Sequence, residues 1–363
     1  MPTPVACDAR ALADASAYRG IGTYLRQLLG GLAADARLEI SALAPAGAPV
    51  PPGVRHVVVR RRAPDRWATL EHDLRLPAEL ARARPAVVHS PALDPPRRSP
   101  APWVQTIHDV VPLAWPGGGL EAEARRWRRY GPRIRAASAV IAVSRHSARQ
   151  AVELLGVEPN RIHVVPLAPE ARFTPAPAGD GSRPPYVLMV AEYGPHKGYR
   201  EAFAVSDALA EAGLHHTLKV AGRLTPATAP VVRSLVASSR APHRIELLGF
   251  VGDLLPLYRG ADAVLVSSRH EGFGLAAMEA MATGTPVVGF ANSATAEVVA
   301  EGGRLVADGD VGALASSLVE VLRDRSRRDE LSRAGIARAA CFDWHRTVDQ
   351  HAAILLAAAE AAS

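Results

Sequence analysis

Residues 263–284 confine this chain to a narrow set of folds. Ala263-Val264-Leu265-Val266 is a short apolar run without polar alternation, so it reads as a buried parallel strand. Ser267 to His270 form a polar turn. Glu271 then precedes Gly272-Phe273-Gly274, and Leu275 to Ala282 is rich in strong helix formers. Thr283-Gly284 ends that helix and Pro286 prevents its resumption. A strand, a glycine turn and a helix start together present free backbone N–H groups at the positive end of a helix. Two carboxylates flank this anion site: Glu271 in the turn and Glu279 about two turns further on. Amides suit a phosphate and carboxylates suit hydroxyls, so the stretch predicts a phosphorylated, polyhydroxylated ligand such as a sugar nucleotide. The competing reading is an ordinary βα unit whose glutamates face solvent.

The rest of the chain repeats that unit. Val5 to Cys7, Leu38 to Leu43, Val54 to Val59, Pro85 to Ser90, Trp103 to His108, Ala139 to Val143 and Ile162 to Val165 read as strands. Helical patterns at 64–84 and 120–137 separate them, and Ser144 caps another. Phe173 to Pro185 carries four prolines and two glycines and interrupts the pattern as a linker. Strand–helix alternation restarts at Tyr186 and continues to about 360. This predicts an α/β protein with two doubly wound parallel sheets facing across a cleft. The expected boundaries are 1–172 for the first domain, 173–185 for the linker, 186–345 for the second domain and 346–363 for a C-terminal helix.

A chain of 363 residues, 48% hydrophobic, is long enough for two cores. Its two cysteines, Cys7 and Cys341, provide neither a disulfide framework nor metal-ligand spacing, so a cytoplasmic setting is expected. The N-terminus lacks signal-peptide form, and no apolar run reaches the roughly 18 residues of a membrane span. The formal net charge of +6 is uneven: the first 175 residues hold the positive excess, as arginine without lysine, while the remainder is net acidic. Nucleic acid is a weak partner for it, because no helix-turn-helix, zinc-finger or RNA-stacking signature accompanies the charge. Arg125, Arg126, Arg128, Arg129, Arg133 and Arg135 lie on one helix. They read as a solvated face or, less commonly, as peripheral contact with an anionic membrane.

Three further features bear on a site. Gly20-Ile21-Gly22 precedes a helical run, but Leu25 stands where a dinucleotide fingerprint needs its third glycine. His108-Asp109 ends a strand, where open α/β sheets bind ligands; a structural histidine bonded to Asp109 or to backbone is the alternative. Asp308-Gly309-Asp310 has the form of a metal-binding Asp-x-Asp, but it precedes a helical pattern and reads as a turn and helix cap.

Glu271-x7-Glu279, within Glu-Gly-Phe-Gly-Leu-Ala-Ala-Met-Glu-Ala-Met-Ala-x-Gly-x-Pro-Val-Val, resembles the retaining, nucleotide-sugar-dependent glycosyltransferases of the GT-B fold, the family-four group. Arg19-Gly-Ile-Gly-x-Tyr24, His108-Asp109, Lys197-Gly198, Leu248-Gly249-Phe250-Val251 and Ala296-Glu297-Val298 also resemble that family, over about residues 5–350. The glycine loop and the His-Asp-x-x-Pro pattern look most like its mannosyltransferase branch. The resemblance implies two Rossmann-like domains, with the C-terminal helix returning to the first. It implies His108, Glu271 and Lys197 as catalytic residues. Gly22, Lys197, Phe273, Gly274, Leu275, Glu279 and Val251 would bind the donor, and Gly20, Tyr24 and Asp109 would lie on the acceptor side. Glu279 would meet the ribose as an ionised acceptor. The implied donor is GDP-mannose, with a UDP-sugar as the alternative, and the acceptor a glycan, a lipid-linked sugar or a small molecule. A non-catalytic nucleotide-sugar binder is the reading from outside enzymes. No cofactor and no metal are expected. Glu192 stands where relatives often carry an arginine, which speaks against a two-cation phosphate clamp; Arg223 or His196 is a candidate second donor, with a solvated arginine the commoner reading of Arg223.

Overall fold

The computed structural model describes residues 1–13, 20–59, 68–93, 95–116, 119–175 and 184–362. Arg19, Arg60 to Arg62 and most of the proline-rich linker lie outside them. The chain divides into two units: Met1–Leu167 with Asp343–Ser363, and Ala168–Phe342.

Unit 1 contains β1 (Thr3–Asp8), α1 (Gly20–Ala33), β2 (Leu38–Ala44), β3 (Arg55–Val58), α2 (Ala68–Ala83), β4 (Val87–Ser90) and β5 (Trp103–Ile107). It continues with α3 (Val111–Ala114), α4 (Glu121–Arg135), β6 (Ala139–Ala142), α5 (Arg145–Leu155) and β7 (Ile162–Val164). The strands are parallel, in the order β3-β2-β1-β4-β5-β6-β7. β1, β4, β5 and β6 are buried along nearly their whole length, as central strands covered on both faces must be. Ser144 caps α5 by accepting the Ser147 amide, as the sequence predicts.

Unit 2 contains β8 (Tyr186–Val190), α6 (Tyr199–Glu211), β9 (Thr217–Ala221), α7 (Ala229–Ala237), β10 (Ile245–Gly249), α8 (Leu255–Gly260) and β11 (Ala263–Val266). Then follow α9 (Leu275–Ala282), β12 (Val287–Ala291), α10 (Ser293–Val299), β13 (Arg304–Ala307), α11 (Val311–Arg323) and α12 (Arg325–Ala339). Its parallel order, β10-β9-β8-β11-β12-β13, repeats that of the first six strands of unit 1. Both are doubly wound Rossmann-like sheets. The core on one face of the unit 2 sheet gathers Val187, Leu218, Leu265 and Phe290 from the strands and Phe203 and Leu318 from α6 and α11.

The boundary falls slightly before the expected residue 172. Arg172 pairs with Asp253 at 2.5 Å and the Phe173 ring packs edge-on against Tyr258, so these side chains join unit 2. The last helix, α13 (Trp344–Glu360), begins with Asp343 as its cap and belongs to unit 1. It packs on α1, β4 and β5. A Cβ on Gly31 would meet Val348 at 2.4 Å, so glycine there permits this close approach of α1 and α13.

Candidate active site

In unit 2 the strand order reverses between β8 and β11, where open α/β sheets bind ligands at the strands' carboxyl ends. The loops leaving these strands carry Lys197 and Glu271. They are laced together: the Arg269 amide donates to the His196 carbonyl at 2.8 Å. Gly198, at φ +66°, lies so close that a Cβ would meet the Ser267 carbonyl oxygen at 1.9 Å. Its glycine is therefore required twice, by conformation and by space. The result is a 2.7 Å ion pair from Lys197 Nζ to Glu271 Oε1. Burial alone would raise the Glu271 pKa. The Lys197 charge and hydrogen bond, helped by Ser268 and His196, outweigh it and hold the carboxyl below its usual range.

Phe273, Gly274 and Leu275 head α9, whose first amides have no intrahelical acceptor. Among the described residues no side chain caps them. The Phe273 side chain turns inward against Phe342, leaving only its backbone to face a ligand. Glu279 lies on the same helix and accepts the Tyr258 hydroxyl at 2.9 Å. Burial drives its pKa up to about 7, against the Tyr258 hydrogen bond and Arg172, with Glu170 adding to the rise. At neutral pH the carboxyl is therefore shared between its two forms, and the ionised one is the form expected to meet a ribose. Val251 stands apart, in the loop leaving the edge strand β10.

Burial, with Lys197 beside it, lowers the His196 pKa to about 4, so His196 is neutral at pH 7. Two arginines stand at the same end of the sheet: Arg269, held by Asp308, and Arg223, which leaves β9 and contacts Glu192, which leaves β8, at 3.4 Å.

A support that sequence reasoning missed lies behind Glu271. Its amide donates to Ser293 Oγ at 2.9 Å, and Ser293 Oγ donates to Asn292 Oδ1. Asn292 Nδ2 donates to the Ser268 carbonyl and to Asp308, which also takes the Arg269 guanidinium. Ser293 adopts φ +43°, a left-handed conformation costly for serine. Only a strained start to α10 could have signalled this, and strain is invisible in a sequence. Asp308 is thus a tether and Asp310 caps α11 through the Ala313 amide, as a turn and cap reading predicts.

In unit 1 the reversal lies between β1 and β4, and His108 follows the neighbouring β5. His108 hydrogen-bonds the Pro91 carbonyl, and Ser147 Oγ donates to the His108 carbonyl at 3.1 Å. Its Nε2 is buried and has no hydrogen-bond partner among the described residues. Burial lowers its pKa to about 4. Asp109 accepts the Val111 amide at 3.1 Å, at the start of α3. Gly20 and Gly22 lie inside the first turn of α1, not in a turn ahead of it, since helical backbone angles are open to glycine.

Tyr24 departs from its expected acceptor-side place. It is 0% exposed, and its hydroxyl lies 2.9 Å from His351 Nε2 and 3.0 Å from Thr106 Oγ1. Its position on the inner face of α1, with Leu25, Leu28 and Leu29, explains the burial. Its ring meets that of His108 edge-on at 4.7 Å between centroids. Among the helix arginines, Arg129 and Arg133 hold the buried Asp73 on α2, while Arg125, Arg126 and Arg128 are exposed.

Two family models match successive parts of the chain: Glycosyltransferase Family 4 over residues 18–168, and Glycosyl transferases group 1 over residues 173–338. The chain is 33% identical over 238 residues to a D-inositol 3-phosphate glycosyltransferase of Salinispora arenicola, covering 58% of this chain and 53% of that protein. It is 29% identical to a glycogen synthase of Mycobacterium tuberculosis, covering 76% and 69%. The alignments thus span about half the length of the D-inositol 3-phosphate glycosyltransferases it matches. In fold it resembles a sucrose-phosphate synthase from Thermosynechococcus elongatus, with TM-score 0.82, 21% identity and coverage of 99% and 100%. It likewise resembles the Anabaena protein HepE in complex with UDP-glucose, with TM-score 0.74, 18% identity and coverage of 98% and 100%. Residues 18–168 are thus similar to Glycosyltransferase Family 4 and residues 173–338 to the group 1 glycosyl transferases, on the two Rossmann-like sheets of the GT-B fold.

Proposed function

We propose that this chain moves a sugar from a nucleotide diphosphate to an acceptor hydroxyl, retaining the anomeric configuration. The observation that carries the reading is the Lys197–Glu271 pair at the strand reversal of unit 2, beside the uncapped amides of α9. Amides and Lys197 suit a diphosphate; Glu271 and Glu279 suit the hydroxyls of sugar and ribose. In this scheme the anomeric carbon–phosphate oxygen bond breaks as the acceptor oxygen adds to the same face. The acceptor proton passes to the departing phosphate oxygen. Lys197 and the α9 amides stabilise the charge that develops there, and catalysis rests on positioning and electrostatics, without a protein nucleophile or a metal. His108, through its open Nε2, accepts a hydrogen bond from a sugar hydroxyl.

Of the two donors expected from sequence, a UDP-sugar draws support from HepE, whose structure holds UDP-glucose on a like fold. GDP-mannose stands on the motif resemblance. A phosphorylated polyol is the first acceptor to test, because the Salinispora relative is named for inositol 3-phosphate and unit 1 is rich in arginine. Among the described residues no helix is long and apolar enough to cross a membrane. A cytoplasmic enzyme meeting lipid-linked acceptors through the exposed arginines of α4 fits this reading.

A donor screen with UDP-glucose, UDP-N-acetylglucosamine and GDP-mannose, scored by NMR of the product, tests it. An axial, α-configured glycoside from an α-configured donor is the expected product. An inverted product, or nucleotide release that mutation of Lys197 leaves unchanged, rejects the proposal.

A further inference from the structure

We infer that the C-terminal helix α13 belongs to the catalytic apparatus of unit 1: His351, acting through Tyr24, is a positioning residue for His108. The inference rests on the role proposed above for His108 and adds residues that the motifs do not include. Six groups from five elements form a buried chain beneath that histidine. Cys7 Sγ lies 3.6 Å from His89 Nδ1, and His89 Nε2 lies 2.9 Å from Thr106 Oγ1. Thr106 Oγ1 is 3.0 Å from the Tyr24 hydroxyl, which is 2.9 Å from His351 Nε2. His351 Nδ1 closes the chain on the Thr347 carbonyl at 2.7 Å.

The chain has one consistent proton arrangement. A carbonyl only accepts, so His351 Nδ1 carries hydrogen. Burial makes His351 neutral at pH 7, with its pKa near 4, so its Nε2 has a lone pair and the Tyr24 hydroxyl must donate to it. The Tyr24 oxygen is then left to accept from Thr106. Thr106, having used its one hydrogen, must accept from His89 Nε2–H. His89 Nδ1 therefore accepts from the Cys7 thiol. Every donor points the same way, from β1 through β4, β5 and α1 to α13, and the last acceptor is backbone of α13 itself.

This arrangement fixes the Tyr24 ring by its far end while its face and edge meet His108 at 81° and 4.7 Å. His108 is otherwise oriented by one hydrogen bond to Pro91, so the aromatic contact sets the second axis of its ring. A shift of α13 would turn Tyr24 and, with it, the open Nε2 of His108. A loop histidine acquires in this way the rigidity of a sheet and a helix.

The test uses full-length protein labelled with 15N-histidine. Long-range 1H–15N spectra report tautomers directly. At pH 7, His351 is expected as the Nδ1–H form and His89 as the Nε2–H form, both neutral, and assigned by His351→Gln and His89→Gln. Tyr24→Phe should move the His108 ring signals although its own side chain loses only an oxygen. In nucleotide-release assays with UDP-glucose and GDP-mannose, Tyr24→Phe and His351→Leu should each lower kcat about tenfold with the donor Kd unchanged. His351→Gln, which keeps an acceptor for Tyr24, should recover most of that loss. The Tyr24→Phe/His351→Leu double variant should lose no more than either single one, because both partners of the hydrogen bond are then gone. An Nε2–H His351, an unmoved His108 signal in Tyr24→Phe, or additive losses in the double variant overturns the inference. Absence of any nucleotide release from wild type rejects the function proposed for the chain, and the tautomer spectra still decide the network.

Discussion

The two sheets share one strand order and use its reversal point in opposite ways. In unit 2 the loops at β8 and β11 carry charge: Lys197 bonded to Glu271, Arg223 to Glu192, and Glu279 held near neutrality. In unit 1 an Asp8–Arg10 ion pair stands at the end of β1, and the histidines beside it, His89, His108 and His351, are all pushed to the neutral form by burial. The difference teaches what each half is suited to do. Fixed charges pre-arranged around uncapped amides suit an anionic leaving group. Neutral histidines in a directional network suit the orientation of uncharged hydroxyls, where a stray charge would cost desolvation.

The largest effect should come from breaking the charged side. Lys197→Ala is expected to lower kcat by about 10²–10³-fold, the range seen when one preorganised donor to a developing oxyanion is removed. Steady-state kinetics with the screened donor measures it, and a loss below tenfold would erase the distinction between the halves. Next comes the neutral side. His108→Ala should cost about 100-fold in kcat while leaving donor Kd within about twofold. With donor saturating, so that the Glu279 titration drops out, kcat should show no histidine titration near pH 6.5, since the His108 pKa lies near 4. An acid limb at 6.5 in kcat that Glu279→Gln retains would mean a charged imidazole.

Glu279 gives an intermediate effect with a defined sign. Its pKa is raised, so the folded protein holds that proton more tightly than the unfolded chain. The stability this contributes is full below the ordinary carboxylate pKa and is lost as pH climbs through about 7. A ribose needs the ionised form, so the nucleotide Kd should tighten about tenfold from pH 6 to pH 8. Calorimetry in buffers of different ionisation heat would register the released proton, and Glu279→Gln should abolish both the slope and the release. The smallest effect is expected at Ser293. Ser293→Ala keeps the strained φ and loses the bond to the Glu271 amide, and should reduce kcat about threefold to tenfold. Ser293→Gly relieves the strain but loses the same bond, so its stability should stay within about 1 kcal/mol of wild type in a denaturant melt, with a similar loss in kcat.

The fold was largely legible, because buried parallel strands announce themselves as apolar runs. Val187, Leu218 and Val264 sit in strands where the pattern placed them. The pairing of Lys197 with Glu271 was legible as two members of one site but not as an ion pair, since 74 residues separate them and only the strand order brings them together. The burial of Tyr24 is hidden in the sequence for a related reason. Its sequence neighbours are glycines that suggest a ligand loop, yet the helix phase turns it inward with the leucines. His351 gave no signal in sequence. Its value comes from contacts with Tyr24, 327 residues away. Glu279 was identified as a residue, but its charge depends on Tyr258 and on burial, which no motif records.

The central claim is that the charged reversal point of unit 2 holds a nucleotide diphosphate. Isothermal titration of wild-type protein and Lys197→Ala with UDP, UDP-glucose, GDP and GDP-mannose tests it most directly. The account predicts micromolar binding of one nucleotide series to wild type, weakened at least about 30-fold by Lys197→Ala. Failure of wild type to bind any of the four, or equal affinity in the two proteins, would contradict it.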